Sequence, residues 1–443
     1  MLKDLPQLIM SSDVVSHIGK IENIVGMSME ASGGMGSIGD IVMIYNEEQK
    51  KQVPAEVVGF KEDRMQLMAY DDMSGIGAGS FVRNTKKRLK IPVGEGLRGR
   101  VIDALGEPMD GKGPIESSRY YYVESPKVNP LSRPRIVERL DFGIKAIDGL
   151  NSIGKGQRIG IFAGSGVGKS TLMGMIAKNV KTDINVIALV GERGREVLEF
   201  IEKDLGEEGM KRTVLVVATS DQPAMLRMKC PLVATTIAEY FKDQGKDVLL
   251  MMDSLTRFAM AQREIGLATG EPPVARGYTP SIYAEFPKLL ERSGNFETGS
   301  ITGIYTVLVE GDDTNEPVAD TVRGILDGHI VLTRKLANAG HFPAIDISAS
   351  ISRLMVSVVD QGHQDLASGL RNILSIYEQN EDLVSIGAYK AGTNSKLDYA
   401  ISKIGQVNDF LMQKIGEKFS YEEILAEMER ILNGKKDNTG RKK

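Results

Sequence analysis

The residues with the clearest chemistry are a short run of glycines followed by a lysine and two hydroxyl side chains. The run is Ala163, Gly164, Ser165, Gly166, Val167, Gly168, Lys169, Ser170 and Thr171. It matches the phosphate-binding pattern G-x-x-x-x-G-K-[ST] except at its first position, which is occupied by Ala163. Glycines let successive backbone N–H groups turn towards an anion, and the positive end of a following helix adds to the attraction. The run therefore predicts a site for the phosphates of a nucleotide.

Lys169 and Ser170 have distinct chemistry within this run. The lysine supplies positive charge for the β and γ phosphates, and the serine hydroxyl can bind Mg²⁺. Asp253 is a second candidate Mg²⁺ ligand, because it directly follows the apolar run 248–252 and should lie at the carboxyl end of a buried strand. An aspartate at this place could also cap the helix that follows, and one side chain can have both roles.

Glu192 is the candidate for activating water. It lies just beyond the apolar run 184–190, so it should be at the edge of the sheet. A carboxylate there could orient or deprotonate the water that attacks the terminal phosphate. From spacing alone, an exposed loop glutamate is the safer interpretation, so the residue pattern leaves the role of Glu192 open.

The composition limits the class of protein. The chain has 443 residues, a formal net charge of -4 and 42% hydrophobic residues, which is ordinary for a soluble multidomain protein. The acidic balance argues against a general nucleic-acid coat. The single cysteine, Cys230, cannot form an internal disulfide, and the four histidines lack metal-ligand spacing. No apolar run approaches the ~18 residues of a membrane span, and no secretory signal pattern is present, so we expect a cytoplasmic protein.

Changes in the sequence pattern divide the chain into three predicted domains. Residues 1–88 contain short apolar runs between glycine-rich turns, which predicts a small β-barrel domain with a short N-terminal arm. In residues 89–359, strand-like apolar runs alternate with helical patterns, which indicates an α/β fold with a parallel sheet. Residues 360–443 have helical spacing, with a capping box at Ser420 and Glu423, and end in a basic tail.

Several segments resemble the RecA-like rotary ATPases, the class that includes the catalytic subunits of ATP synthase. The segments are 164–171, 191–196, 249–258, 270–294 and 344–353. Within that class, GERGREVLEFIEKDLG and HFPAIDISASISRLM are most similar to the ATPases of bacterial type III export, and the likeness extends from about residue 19 to about residue 432. The resemblance implies a RecA-like P-loop ATPase core between an N-terminal β-barrel and a C-terminal helical domain. It also implies an enzyme that hydrolyses ATP with Mg²⁺.

The resemblance assigns roles that spacing leaves undecided. It implies that Lys169 and Ser170 serve phosphate and Mg²⁺. It also implies that Asp253 is the Walker-B residue and that Glu192 is the catalytic carboxylate. Arg193 is then expected at the γ-phosphate, whereas without the resemblance it would be taken for a surface ion-pair partner.

The resemblance also implies roles for residues outside the phosphate-binding run. Arg353 matches the arginine finger that reaches into the site of a neighbouring subunit. Phe342 matches the aromatic residue that stacks on adenine, although the synthase catalytic subunit has tyrosine there. Tyr389 is a weaker candidate for the opposite face of the adenine ring. A second departure, Thr279 where proline is common, leaves the expected chemistry unchanged.

Glu192 and Arg353 together predict the oligomeric state. In the synthase, the catalytic carboxylate and the arginine finger are divided between two kinds of subunit, whereas this chain carries both. A ring of identical copies would have a complete site at every interface, which predicts a homohexamer.

The resemblance also implies a biological role, in which ATP hydrolysis drives the release, unfolding and export of proteins. The expected partners are export regulator or stator proteins, stalk proteins, chaperone–cargo complexes and the membrane export gate. The protein would attach only peripherally to the inner membrane, at the flagellar base, and would bind no nucleic acid. The flagellar branch is favoured over the injectisome branch, whose core is nearly identical.

Two further hypotheses stay open from the sequence. One is a subunit of a rotary ATP synthase, and Glu192 argues against a non-catalytic subunit of this kind. The other is a hexameric RNA translocase, which would need a basic, aromatic N-terminal RNA-binding fold. Residues 1–90 hold few aromatic residues and lack the spacing of an RNA-binding motif.

Overall fold

The computed structural model of the chain describes residues 18–46, 51–124, 129–309 and 316–434. The expected N-terminal arm within residues 1–17 and the basic tail at residues 435–443 lie outside these ranges. Among the described residues, no helix is long and apolar enough to cross a membrane.

Antiparallel strands form a closed barrel at the N-terminal end of the described chain. They are β1 (Ile18–Val25), β2 (Ser28–Ser32), β3 (Ile41–Asn46), β4 (Lys51–Lys61), β5 (Arg64–Ala69) and β6 (Phe81–Lys87). Around the barrel they pair in the order β1, β2, β5, β4, β3, β6. Alternate side chains such as Val42 and Ile44 of β3 are fully buried, because successive side chains of a strand point to opposite faces. The predicted barrel is confirmed.

A nine-stranded, mostly parallel sheet forms the centre of the molecule. Between the barrel and this sheet the chain forms two short antiparallel pairs, β7 (Lys90–Val93) with β9 (Arg119–Tyr122) and β10 (Arg139–Leu140) with β11 (Ile153–Gly154). The strands of the sheet are β8 (Val101–Asp103), β12 (Arg158–Ala163), β13 (Ile184–Glu192), β14 (Thr213–Thr219), β15 (Asp247–Asp253), β16 (Gly294–Asn295), β17 (Ser300–Leu308), β18 (Gly328–Leu332) and β19 (Ile345–Ser352). They lie in the order β19, β18, β12, β17, β15, β13, β14, β8, and β16 pairs with β17. Only β19 and β16 pair antiparallel in this sheet as described.

Helices cover both faces of the central sheet. They are α1 (Lys145–Leu150), α2 (Lys169–Asn179), α3 (Gly194–Glu199), α4 (Gly206–Lys211), α5 (Ala224–Asp243), α6 (Leu255–Ala268), α7 (Ser281–Leu290), α8 (Pro317–Ile325), α9 (Arg334–Asn338) and α10 (Met355–Val358), with a π-helical segment at Phe200–Leu205. Neighbouring residues of β13 alternate between two apolar cores, with Val186 and Ala188 in one and Ile187 and Leu189 in the other. The sheet is therefore buried on both faces, as its continuous apolar strands predict.

The C-terminal part of the described chain is helical. Its helices are α11 (Gln361–Ser385), α12 (Ser395–Leu411) and α13 (Tyr421–Asn433). The capping box of Ser420 and Glu423 is present at the start of α13, and Gly434 follows its last residue. A barrel, an α/β core and a helical part thus follow one another along the chain, which confirms the predicted fold class.

A buried ion pair joins the barrel to the central sheet region. The carboxylate of Glu56 on β4 lies 2.7 and 2.9 Å from Nζ of Lys229 on α5, and it also accepts a hydrogen bond from the hydroxyl of Tyr70. All three residues are more than nine-tenths buried. Removal of one member of such a pair would leave an uncompensated buried charge, so this contact holds the two parts of the molecule together.

Candidate active site

The phosphate-binding run forms the turn between β12 and α2. Gly166 and Gly168 have φ values of +77° and +92°, left-handed conformations that a residue with a Cβ rarely adopts. Gly168 precedes the first residue of α2, and no side chain caps that helix end. All residues of the run from 164 to 171 line a cavity of about 990 Å³ except Val167, which is buried in the apolar core. The positive end of α2 therefore faces a space that nucleotide phosphates can enter.

Lys169 and Glu192 line this cavity, and Asp253 contacts the side chain of Lys169. Nζ of Lys169 forms an ion pair with Asp253 and lies 3.7 Å from Oε1 of Glu192. Asp253 ends β15 and Glu192 ends β13, and these two strands are parallel neighbours, so their carboxyl ends lie side by side. The hydroxyl of Thr306 on β17 donates to Oδ1 of Asp253 at 2.7 Å, which fixes the orientation of that carboxylate. The structure brings together three of the side chains that the sequence selects from separate segments.

The environment of Glu192 gives it the electrostatic properties of a general base. Burial, together with the negative charge of Asp253, raises the pKa of Glu192 to about 7, although Lys169 acts in the opposite direction. Glu196 lines the same cavity, and a hydrogen bond with Glu192 lowers the pKa of Glu196. A carboxyl group with a pKa near neutral pH can take a proton from water and release it again.

Arginine side chains add positive charge around the cavity. Arg193 lines it with a side chain that is 69% exposed and pairs with Glu196 at 3.3 Å. Arg257 also lines it, and its buried Nε has no hydrogen-bond partner in the part of the chain that the structure describes. Nη1 of the same guanidinium contacts Sδ of Met260 at 3.9 Å, a weak acceptor, so the group keeps donors that an anion in the cavity can use. Sequence reasoning missed Arg257, and the signal that could have found it is its position one helical turn after Asp253, at the start of α6.

Arg353 lies outside this cavity. It directly follows β19, the strand at one edge of the sheet, and its side chain is exposed. Its backbone N–H donates to the carbonyl of Asp327, and its Nη2 donates to the carbonyl of Arg323 at 3.5 Å. The structure therefore does not bring Arg353 to Lys169 within one chain, and its exposed position leaves it accessible to a neighbouring copy.

A second cavity, of about 890 Å³, borders the phosphate loop and contains Phe342. Gly168 and Thr171 line both cavities. The ring of Phe342 lies beside Gly168, since a Cβ placed on that glycine would be 3.5 Å from ring atoms Cδ1 and Cε1. The other apolar residues of the lining are Leu172, Met175, Pro343, Met412, Ile415 and Phe419. A flat aromatic ring in an apolar cavity next to a phosphate site suits a purine base.

Tyr389 lines neither of these two cavities. It lies in the turn between α11 and α12, where its hydroxyl is 2.9 Å from Oδ1 of Asp398 in the first turn of α12 and 3.1 Å from the carbonyl oxygen of Asn394, either of which can accept its proton. These local hydrogen bonds hold the ring within the turn. The expectation that Tyr389 faces adenine is therefore corrected. Met412 and Phe419 are C-terminal residues that line the cavity of Phe342, which is called the base-sized cavity below.

Ser170 and Asp253 offer a donor set that fits Mg²⁺. Ser170 is the second residue of α2 and lines the phosphate cavity, and Asp253 contacts the Lys169 side chain. Hydroxyl and carboxylate oxygens are hard ligands of the kind that Mg²⁺ prefers. Among the described residues there is no cluster of three or more histidine, cysteine or acidic side chains that could enclose a metal. Two protein ligands suit a Mg²⁺ ion that keeps waters and nucleotide phosphates as its other ligands.

Comparisons with protein families match successive parts of the chain. Residues 21–86 match the β-barrel domain of the ATP synthase alpha/beta family, and residues 143–352 match the nucleotide-binding domain of that family. Residues 359–430 match the T3SS EscN ATPase C-terminal domain. This order agrees with the barrel, the central sheet and the C-terminal helices.

Curated relatives are similar over nearly the whole chain. The chain is 55% identical over 416 residues to the flagellum-specific ATP synthase of Bacillus subtilis (strain 168), covering 94% of this chain and 95% of the relative. The chain belongs to the type III export ATPase family. Another member, the type 3 secretion system ATPase of Xanthomonas euvesicatoria, is 47% identical, with 92% of each protein covered. As a type III export ATPase, the chain is an ATP-hydrolysing enzyme, which confirms the predicted reaction.

Solved structures of type III export ATPases have the same fold. The assembled ATPase EscN from the type III secretion system of enteropathogenic E. coli is 46% identical with a TM-score of 0.89, covering 94% of this chain and 100% of that chain. EscN in complex with its central stalk EscO is 45% identical with a TM-score of 0.86 at the same coverage. The recognised family and the fold class are both confirmed by these comparisons.

Proposed function

We propose that this chain forms a homohexameric motor that couples ATP hydrolysis to the release, unfolding and export of flagellar proteins. One observation carries the hexamer: Glu192 lines the phosphate cavity, whereas Arg353 is exposed outside it. A site completed by Arg353 of a neighbouring copy needs a ring or chain of subunits joined head to tail, and a closed ring of identical copies satisfies every site. The existence of assembled EscN structures supports this arrangement.

The residues around the phosphate cavity divide the catalytic work. The backbone N–H groups of the loop and the Lys169 ammonium bind the β and γ phosphates. Glu192 orients the attacking water and accepts its proton, as the raised pKa of this carboxyl group permits. Arg193 and Arg257 contribute positive charge from the same chain. Arg353 of the neighbouring copy stabilises the charge that develops on the transferred phosphoryl group, an effect on the order of 10³–10⁵ in rate for arginine fingers.

The nucleotide would be ATP with Mg²⁺, held by both cavities. Ser170 and Asp253 are the proposed Mg²⁺ ligands, and the bound ion would neutralise charge on the β and γ phosphates. Phe342 is proposed to stack on the adenine ring, since it lies beside Gly168 of the phosphate loop. Stacking fixes the base while the phosphates occupy the loop, so that the terminal phosphate lies next to Glu192.

The flagellar branch is proposed over the injectisome branch because of sequence identity. The identity is 55% to the Bacillus subtilis flagellar relative and 47% to the Xanthomonas euvesicatoria secretion relative. We propose cytoplasmic placement at the flagellar base, peripheral to the inner membrane. The proposed partners are a central stalk protein, as in the EscN–EscO complex, export regulator or stator proteins, chaperone–cargo complexes and the membrane export gate. No nucleic acid is expected to bind.

Mixing two inactive variants tests the shared site. Glu192→Gln and Arg353→Ala proteins should each hydrolyse ATP poorly, because each lacks one half of every site. In mixed rings, some interfaces pair an intact Glu192 with an intact Arg353, so mixing should restore part of the activity. The measurement is ATPase rate against mixing ratio under conditions that allow subunit exchange, with wild-type protein diluted to show that specific activity depends on concentration.

The control is a mixture of Glu192→Gln with Lys169→Ala protein. Both of these residues belong to the same side of the interface, so no mixed interface is complete and no activity should return. If Glu192→Gln and Arg353→Ala protein also fail to recover, although subunit exchange is demonstrated by fluorescence energy transfer, Arg353 is not a finger acting between copies. The branch is tested separately: deletion of the chromosomal gene should abolish flagellar filaments, and unchanged filaments would reject the flagellar assignment.

A further inference from the structure

Lys145 is a buried cation in the wall of the cavity that contains Phe342. It is the first residue of α1, its side chain is only 7% exposed, and it lines the cavity. In the described part of the chain, its Nζ makes no hydrogen bond, and Oε2 of Glu427 on α13 lies 3.7 Å away. An ammonium group has three protons to donate, so this side chain has unused donor capacity next to the cavity.

Contacts from three directions fix the position of Lys145. Its backbone N–H donates to Oε1 of Gln413 at 3.0 Å. Its Nζ lies 4.8 Å from the ring centre of Phe419 and 5.4 Å from that of Phe410. The negative faces of these rings attract the ammonium electrostatically. They do not replace an oxygen or nitrogen acceptor for its N–H groups. Lys145 is therefore held in place in advance of any ligand, while its ammonium keeps protons available for a ligand in the cavity.

The cavity also limits what can satisfy these donors. It shares Gly168 and Thr171 with the phosphate cavity, and Phe342 lies against Gly168. The base of a nucleotide with its phosphates in the loop would enter this space. Adenine carries unprotonated ring nitrogens, each of which can accept a hydrogen bond from an ammonium.

We propose that Lys145 is a specificity-determining residue that donates a hydrogen bond to a ring nitrogen of the adenine base. Glu427 is a positioning residue, which keeps the ammonium directed at the base through its negative charge. The inference rests on the proposed placement of the nucleotide and deepens it, because an apolar cavity with a stacking ring binds any purine, whereas a fixed donor selects bases with an acceptor at one place.

The test combines Lys145→Met with ATP analogues that lack one ring nitrogen. Methionine keeps the length and apolar stem of lysine but removes the donor. With wild-type protein, one of 1-deaza-ATP, 3-deaza-ATP and 7-deaza-ATP should lower kcat/KM by about tenfold relative to ATP, since a hydrogen bond from a charged donor is lost. Lys145→Met should raise the KM for ATP by about the same factor, leave kcat within about twofold, and no longer distinguish that analogue from ATP.

Two more variants separate recognition from folding. Glu427→Gln keeps the shape of the side chain but removes its charge, and it should raise the KM for ATP about threefold with weaker discrimination against the same analogue. Lys403→Met removes a lysine of α12 that donates to the carbonyl of Ile431 on α13 and does not line the cavity. It is the control for packing of the C-terminal helices, and its discrimination should equal that of the wild type.

The outcomes are distinct. If wild-type protein treats all three analogues like ATP, or if Lys145→Met keeps the wild-type discrimination, the inference is overturned. If Lys145→Met lowers kcat for ATP and every analogue equally, Lys145 has only a structural role, and the inference is again overturned. If the wild-type protein does not hydrolyse ATP at all, the proposed function itself fails, and this result cannot be confused with the others.

Discussion

The two cavities that meet at Gly168 and Thr171 differ in chemistry and in how they are built. The phosphate cavity is lined by glycines and charged side chains that come from loops at the carboxyl ends of adjacent strands. The base-sized cavity is mostly apolar, and its lining combines residues of α1, of α2, of the segment 340–343 and of the C-terminal part of the chain. Phosphate chemistry needs particular groups at fixed spacing, whereas a stacked base needs an apolar surface that many residue types can supply.

This difference predicts that the two cavities respond differently to mutation. Substitutions in the phosphate cavity remove groups that act on the transition state, so they should lower kcat. Substitutions in the base-sized cavity remove contacts that are equally strong before and during reaction, so they should raise KM.

The largest effect is expected for Lys169→Ala. This variant loses the charge that binds the β and γ phosphates, so ATP hydrolysis should fall to less than a few per cent of the wild-type rate. The fold should survive, because the lysine lies at a helix start and not in a core. The measurement is steady-state ATPase rate together with a thermal unfolding profile. Lys178→Ala, on the exposed face of the same helix, is the matched control and should keep full activity. A Lys169→Ala protein with substantial turnover would contradict the phosphate-loop assignment.

Glu192→Gln should lower turnover by ~10² or more while nucleotide affinity persists. The amide keeps the size of the side chain but cannot accept a proton from water. Rapid-quench turnover and equilibrium nucleotide binding separate the two quantities, and Glu199→Gln on the exposed side of α3 serves as the control. Loss of binding together with turnover would instead assign Glu192 a structural role.

The pH profile is a smaller and independent test of Glu192. Burial raises the pKa of this carboxyl group to about 7, so the fraction in the ionised, proton-accepting form falls as the pH drops through that value. The wild-type kcat/KM should therefore decrease about tenfold per pH unit below about pH 7 and level off above it. The residual activity of Glu192→Gln should lack this step. An unchanged step in that variant would mean that another group titrates.

Phe342→Ala tests the base-sized cavity. Loss of one stacking ring should raise the KM for ATP by about tenfold, in line with ~1–3 kcal/mol for stacking of a base on an aromatic side chain. The value of kcat should change by less than about threefold. Phe342→Tyr keeps the ring and should behave like the wild type in steady-state kinetics. A fall in kcat with an unchanged KM would break the distinction between the two cavities.

The smallest effect is expected for Tyr389→Phe. Among the described residues, the hydroxyl of Tyr389 contacts Asn394 and Asp398 at the start of α12, and neither cavity includes it. The KM and kcat for ATP should both stay within about twofold of the wild-type values. A tenfold rise in the KM for ATP would instead indicate that Tyr389 contacts the base in the base-sized cavity.

The sequence predicts the phosphate cavity better than the base-sized cavity, for a physical reason. The loop, Glu192 and Asp253 are recognisable because each follows a continuous apolar strand that marks its place at the sheet edge. Lys145 and Glu427 form an ion pair in the base-sized cavity although they are far apart in the sequence, and no local pattern links the two. Tyr389 is a candidate only through the resemblance to the family, and its hydrogen bonds at the start of α12 decide its position instead.

One helix shows a similar limit. Among the helical patterns of residues 89–359, one extends over 233–242 in the sequence. The helix at this place, α5, begins earlier, at Ala224, and contains Pro231. Proline lacks an N–H donor and normally ends a helix, so the local pattern underestimates this element. The surrounding core overrides that preference: Cys230 and Val233, on either side of the proline, are fully buried.

The buried pair of Glu56 and Lys229 has a mechanical consequence. Replacing Glu56 or Lys229 alone would leave the other charge buried without its partner, at a cost of about 3–5 kcal/mol. The pair therefore makes the packing of β4 against α5 sensitive to any change in either residue. Ser220, just before α5, lines both the phosphate cavity and a cleft of about 550 Å³ against the barrel. The contact between the barrel and α5 therefore lies directly beside the phosphate cavity, so a substitution that weakens this contact can also disturb the catalytic site.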